Sequence, residues 1–275
     1  MLKLFFSVLF LFKKNNIHLT KRYLIKDSKQ LYIPKTFNQI AYNDMLNNDT
    51  NKIIFSIGPA GTGKTLLACN TAIQKLKNKD IDRIILTRPV VPVEEEIGFL
   101  PGDINKKMDP WVKPIMDIFL DFYTKKQLND MIYNNIVEIA PLGYIRGRTF
   151  KNAFIIADEM QNSSPNQMLM LLTRIGINSK MVITGDLNQS DKLYNSGLAN
   201  FIHKLKQYNN KNKNNEIVLI EMNNTDIQRN KIIKTILNIY NLNDNKVTNQ
   251  NSNNLSISSM DAALIPLNQI SKNFF

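Results

Sequence analysis

The octet Gly58-Pro59-Ala60-Gly61-Thr62-Gly63-Lys64-Thr65 follows the apolar run Lys52–Ile57 (KIIFSI) and opens a helical pattern that extends to about Lys77. It fits the pattern G-x-x-x-x-G-K-[ST] in full. Glycines let the backbone wrap tightly, so that its N–H groups converge on phosphate oxygens. The following helix aims its positive end at the same anion. Lys64 supplies a point charge for the β- and γ-phosphates, and the Thr65 hydroxyl supplies a ligand for Mg²⁺. Such an octet arises by chance in roughly one chain of this length per hundred. A strand before it and a helix after it argue against a glycine turn without a ligand. The expected cofactors are therefore ATP and Mg²⁺.

Short apolar runs alternate with helical stretches through the rest of the chain. Arg83–Thr87, Ile136–Ala140, Ala153–Ala157 and Met181–Thr184 read as strands, Ile217–Glu221 as a further one, and a helical pattern covers about Pro110–Tyr133. Continuous apolar strands separated by helices imply an α/β fold with a parallel sheet covered on both faces. In such a sheet the strand C-termini share one edge, where ligands bind.

Two further motifs fall at strand ends. Phe154–Ala157 runs into Asp158-Glu159. Asp158 is expected to hold Mg²⁺, and Glu159 to orient or deprotonate an attacking water. A solvated acidic loop is the alternative. An acid beside the metal-binding Asp suits hydrolysis better than phosphorylation of a small metabolite. It also suggests a RecA-like arrangement, with Arg83–Thr87 and Ile136–Ala140 as candidates for the strands between the two motif strands. Thr184-Gly185-Asp186-Leu187-Asn188-Gln189 ends another strand, with Gln189 as the candidate γ-phosphate sensor and Asp186 nearby; a plain turn is the alternative.

Composition sets the wider expectations. Lys and Arg outnumber Asp and Glu by 35 to 23, a net charge of +12. That surplus favours a polyanion such as single-stranded RNA or DNA, or it reflects codon bias toward Lys, Asn and Ile. With Cys69 as its single cysteine, the chain has no internal disulfide framework and no multi-cysteine metal site. This agrees with a reducing, cytoplasmic setting. Leu4–Phe12 (LFFSVLFLF) is apolar and flanked by lysines, but its nine residues fall short of the about 20 that span a bilayer. It reads either as a loosely packed extension or as a targeting or membrane-surface segment. The expected organisation is an extension over 1–36, an ATPase domain over 37–240 and a polar, disordered tail over 241–275.

With these motifs in order, the chain resembles the PhoH family of P-loop ATPases. IGPAGTGKTLLA, EIGFLPGDINKKMDPWVKPIMD, EIAPLGYIRGRTF, NAFIIADEMQN and VITGDLNQ carry the resemblance, from about Phe37 to Tyr240. The family implies a core like that of superfamily 1 helicases, homo-oligomeric rings and a link to RNA metabolism or phosphate stress. It also implies that Gln39, in FNQIAY, contacts the adenine and that Tyr42 helps shape that pocket. The chain departs from relatives in carrying only about 36 residues before the core, in Pro92-Val93-Glu94-Glu95-Glu96, and in lacking Leu-Pro after Gln189.

Arg229 and Arg146 are the candidates for an arginine that reaches a neighbouring subunit's γ-phosphate. Arg88 and Arg148 are candidates for nucleic-acid phosphates, and Trp111 and Tyr144 for base stacking. Structural ion pairs and core packing are the competing readings. The leading function is an RNA-coupled ATPase, with helicase or remodelling activity. The alternative is a regulatory or stress-related ATPase that acts through a protein partner. A small-molecule kinase is disfavoured by the Asp-Glu pair and by the lack of a lid signature.

Overall fold

The computed structural model describes residues 32–89, 113–189, 196–212 and 214–228, all within the unit Met1–Gln228. Leu4–Phe12, Pro92–Glu96, Trp111, Arg229 and the tail over 241–275 lie outside the described residues.

Helix α1 (Phe37–Asn47) starts on Thr36, whose hydroxyl accepts the Gln39 N–H. Strand β1 (Ile53–Ile57) is buried throughout and feeds helix α2 (Lys64–Asn78) through the glycine loop. Strand β2 (Arg83–Thr87) follows. The sequence predicts one helical pattern over about Pro110–Tyr133, but the structure breaks it. Residues 113–120 are helical, and a second helix, α3 (Lys125–Tyr133), starts afresh. Thr124 and Gln127 form a capping box there, satisfying N–H groups that a continuous helix would not leave free.

Strand β3 (Val137–Ile139) leads into a 3₁₀ turn (Leu142–Ile145). Strand β4 (Ala153–Ala157) leads into another (Met160–Asn162) and then into α4 (Pro165–Leu172). Strand β5 (Lys180–Gly185), the turn Leu187–Gln189, α5 (Gly197–Asn209), β6 (Ile217–Glu221) and the turn Asn224–Asp226 complete the described chain.

The six strands form one parallel sheet in the order β3-β2-β4-β5-β1-β6. Alternate side chains pack on opposite faces, as a pleated strand requires. Ile54, Ile84, Leu86, Phe154, Ile156 and Val182 pack with α1, α2 and α3. Phe55, Ile85, Ile155, Met181 and Ile183 pack with α4 and α5. Each such aliphatic side chain stabilises the fold by about 1.5–3 kcal/mol through removal from water. This is the two-faced α/β layout expected from the apolar runs.

One expectation is corrected. A strand does separate β1 from β4, but it is β5, not Arg83–Thr87 or Ile136–Ala140. Those two strands lie beyond β4 and pair as β3-β2-β4. Leaving β1, the chain crosses to β2 and leaves room that β4 and β5 later fill. Apolar patterning marks a strand as buried on both faces, but it does not say which strands will be its neighbours.

Candidate active site at the carboxyl edge of the sheet

The glycine loop lies where β1 leaves the sheet. Gly58, Gly61 and Gly63 have φ of 135°, 84° and 88°, in the region that favours glycine. Gly58 has a second constraint, because a Cβ there would sit 2.3 Å from the Met222 carbonyl oxygen. Its N–H donates to the Gly185 carbonyl at 3.1 Å, tying the loop to the end of β5. Thr62 is fully buried and its hydroxyl donates to the Pro59 carbonyl at 2.9 Å. Lys64 Nζ curls back over the loop, donating to the carbonyls of Gly58 at 2.6 Å and Pro59 at 2.8 Å. Ala60 lies on the partly exposed rim.

Across β5, the two acids at the end of β4 point apart. Asp158 is buried and accepts hydrogen bonds from the Thr65 hydroxyl at 2.8 Å and from Thr184. Thr65 and Asp158, which are 93 positions apart in the chain, thus meet above the strand that separates theirs. A hydroxyl and a carboxylate this close are the hard-oxygen pair that suits Mg²⁺, which takes few protein ligands and completes its shell with water and phosphate. The residues present fit that ion. The same carboxylate lies near Cys69, whose thiol is pushed up by burial first and by Asp158 second. Cys69 is fully buried in the core.

Glu159 adopts φ of 53°, the left-handed region that a non-glycine residue rarely occupies. That turn leads its carboxylate away from Asp158 to Gln161, whose Nε2 donates to it at 2.6 Å. The sequence reading missed Gln161. The signal is a second amide-bearing residue two positions after the acid, in a short turn that is otherwise core. Thr184, a hydroxyl ending an apolar strand, was also missed. Gln189, the candidate sensor, sits exposed in the turn after β5, and its N–H donates to the Asp186 carbonyl at 3.1 Å. Asp186 is buried, and its carboxylate accepts the Asn188 N–H.

Gln39 reaches the loop from α1. Its Nε2 donates to the carbonyls of Thr62 at 3.0 Å and Asp226 at 3.2 Å, and its Oε1 accepts the Lys35 N–H at 2.8 Å. The buried Tyr42 hydroxyl donates to the Lys64 carbonyl at 3.2 Å, and burial pushes its pKa well above the ordinary value.

Asp226 holds this side together. Its carboxylate accepts from Thr36 at 2.5 Å, from Asn38 at 2.8 Å and from the Asn223 N–H at 2.8 Å. Burial pushes that carboxyl up, but these hydrogen bonds outweigh it and hold the pKa below the usual value. Two positions on, the Gln228 N–H donates to the Gly61 carbonyl at 3.1 Å. The segment after β6 is thus fastened to both α1 and the phosphate loop. Its sequence signal is the capping-box spacing of Asn223 and Asp226.

The arginines divide. Arg148 forms a two-pronged pair with Glu138 of β3, with its guanidinium 4.8 Å from the Phe150 ring centroid. Glu138 is the first cause that raises its pKa. Arg174 donates to the Arg148 carbonyl at 3.1 Å. Both read as structural. Arg88 directly follows β2, and its carbonyl accepts the Leu142 N–H at 3.3 Å. Arg146 is exposed at the end of the 3₁₀ turn after β3. It follows β3, an edge strand of the sheet, four strands from β1.

Among the described residues no helix is long and apolar enough to cross a membrane. The sequence profile of the PhoH family, described as PhoH-like protein, matches residues 32–241. The chain is 40% identical over 213 residues to the PhoH-like protein of Synechocystis sp., covering 77% of this chain and 62% of that one. It is 44% identical over 208 residues to the PhoH-like protein of Bacillus subtilis, covering 75% and 63%. The chain therefore spans about three fifths of the length of these curated relatives. Among solved structures it is similar to the Sulfolobus solfataricus SWI2/SNF2 ATPase core in complex with dsDNA, at 12% identity and a TM-score of 0.40, covering 72% of this chain and 46% of that one; a likeness this slight carries no argument. The profile and the relatives agree with the loop, the acidic strand end and the parallel sheet, and the chain belongs to the PhoH family, with a P-loop NTPase fold.

Proposed function

We propose that this protein binds ATP with Mg²⁺ at Gly58–Thr65 and hydrolyses it, and that turnover is coupled to single-stranded RNA. The observation that carries the first part is the meeting of the Thr65 hydroxyl and Asp158 carboxylate at 2.8 Å, with Glu159 turned aside at the same strand end. The loop amides and Lys64 take the phosphates. Thr65 and Asp158 would hold Mg²⁺, which would supply positive charge to offset that developing on the transferred phosphate. Glu159 orients a water and accepts its proton as the water oxygen attacks the γ-phosphorus. The bond from that phosphorus to the β–γ bridging oxygen breaks, leaving ADP and inorganic phosphate. The base lies beside Gln39, whose Oε1 keeps a second lone pair for an exocyclic amine.

The RNA coupling is supported by the net charge of +12, since cationic surfaces gather polyanions. The test of hydrolysis is Glu159→Gln beside Lys64→Ala. Glu159→Gln keeps nucleotide binding and loses turnover, whereas Lys64→Ala loses both. Undiminished hydrolysis in Lys64→Ala sinks the assignment. Turnover measured with and without single-stranded RNA, at low and high salt, tests the coupling. Stimulation that fades with salt supports it, and partner-protein stimulation without any RNA effect overturns it.

A further inference from the structure

The turn after β3 is built as a rigid display. Leu142 and Ile145 are buried among the side chains that face α4 and α5. Arg148 is pinned by Glu138, by the Phe150 ring and, through its carbonyl, by Arg174. Between these anchors the chain presents two side chains to solvent. Tyr144 is 63% exposed, and Arg146 is exposed two positions on. Neither side chain has a hydrogen-bond or ion-pair partner among the described residues.

The flanks are kept bare. A Cβ placed on Gly143 or Gly147 would meet nothing within 4 Å, and Gly147 has φ of 77°. The ring thus stands on a fixed turn with open space beside it. An exposed ring with a cation two residues away suits one partner chemistry well. An unpaired base stacks on the ring, and the adjoining phosphate pairs with the guanidinium. A duplex keeps its base faces covered and offers no such partner. The turn follows β3, an edge strand of the parallel sheet.

We propose that Tyr144 and Arg146 form a contact site for single-stranded nucleic acid, Tyr144 stacking on a base and Arg146 pairing with a phosphate. The proposal rests on the nucleic-acid coupling proposed above and gives it a location.

The test is fluorescence anisotropy of a labelled oligouridine with the full chain, over a range of salt concentrations. Tyr144→Ala is expected to weaken binding by about 5- to 100-fold, and Tyr144→Phe to keep it within about twofold. Both Tyr144 variants keep the wild-type salt slope. Arg146→Ala lowers the slope of log affinity against log salt by about 0.7, as expected when one phosphate contact to a single strand is lost. A merely structural turn predicts neither the rescue by Phe nor the change of slope. If the wild type binds and both alanine variants match it in affinity and slope, this site is wrong while the coupling stands. If the wild type binds no oligouridine with or without an ATP analogue, the coupling fails and the site with it. Equal losses on duplex and single-stranded RNA overturn the stacking role.

Discussion

Gln161 Nε2 donates a 2.6 Å hydrogen bond to the carboxylate of Glu159, while its Oε1 accepts the Asp186 N–H at 3.2 Å. One buried amide thus joins the acid after β4 to the turn after β5. Hydrogen bonds to charged groups contribute about 1.5–3 kcal/mol. Gln161→Ala is therefore expected to lower kcat for ATP hydrolysis by about 10- to 100-fold while KM stays near wild type. Steady-state kinetics check this. A kcat above wild type would show instead that the contact restrains Glu159.

Gly58 combines φ of 135° with a Met222 carbonyl oxygen 2.3 Å from where a Cβ would sit. Gly58→Ala forces the loop and the end of β6 apart. The expected cost is about 2–4 kcal/mol in unfolding free energy, with loss of nucleotide binding. Chemical denaturation and a fluorescent ATP analogue measure the two effects.

Asp226→Ala strands three donors, Thr36, Asn38 and the Asn223 N–H. The expected destabilisation is about 2–4 kcal/mol, since donors left without an acceptor carry their desolvation cost. Nucleotide affinity falls as well, because Gln39 and Gln228 link the same segment to Thr62 and Gly61. Denaturation and nucleotide titration of Asp226→Ala read this; wild-type affinity would show that the loop holds its shape without the clasp.

Lys180 is buried with Nζ donating to the carbonyls of Leu46 at 2.7 Å and Asn48 at 2.8 Å. Burial first, then the neighbouring Lys75, lowers its pKa to about 8. Below about pH 8 both folded and unfolded chains carry this proton, and the fold bears the full cost of the buried charge. Between about pH 8 and 10 the unfolded chain binds more protons, so this group makes stability rise with pH. The rise is expected to be on the order of 2 kcal/mol and to disappear in Lys180→Met. Urea midpoints at pH 7 and pH 9.5 compare the two proteins.

Local chemistry makes much of this protein legible in its sequence alone. The octet Gly58–Thr65 needs only glycine freedom, one amine and one hydroxyl in fixed order, and the run Ala153–Ala157 ending in two acids marks itself. The bounds of β2, β4 and β6 agree with the runs read as strands, and β4, buried at every position, is apolar throughout, as a strand covered on both faces must be. What tertiary structure alone decided was which distant segments become neighbours. It placed β5 between β1 and β4 and brought Thr184 to Asp158. It also set Gln161 between Glu159 and Asp186, and Asp226 between α1 and the phosphate loop. It committed Arg148 to Glu138 while leaving Arg146 exposed, although the two are close in sequence. A polar side chain's role depends on what packs within about 3 Å of it, and a chain's local pattern carries no record of that neighbour.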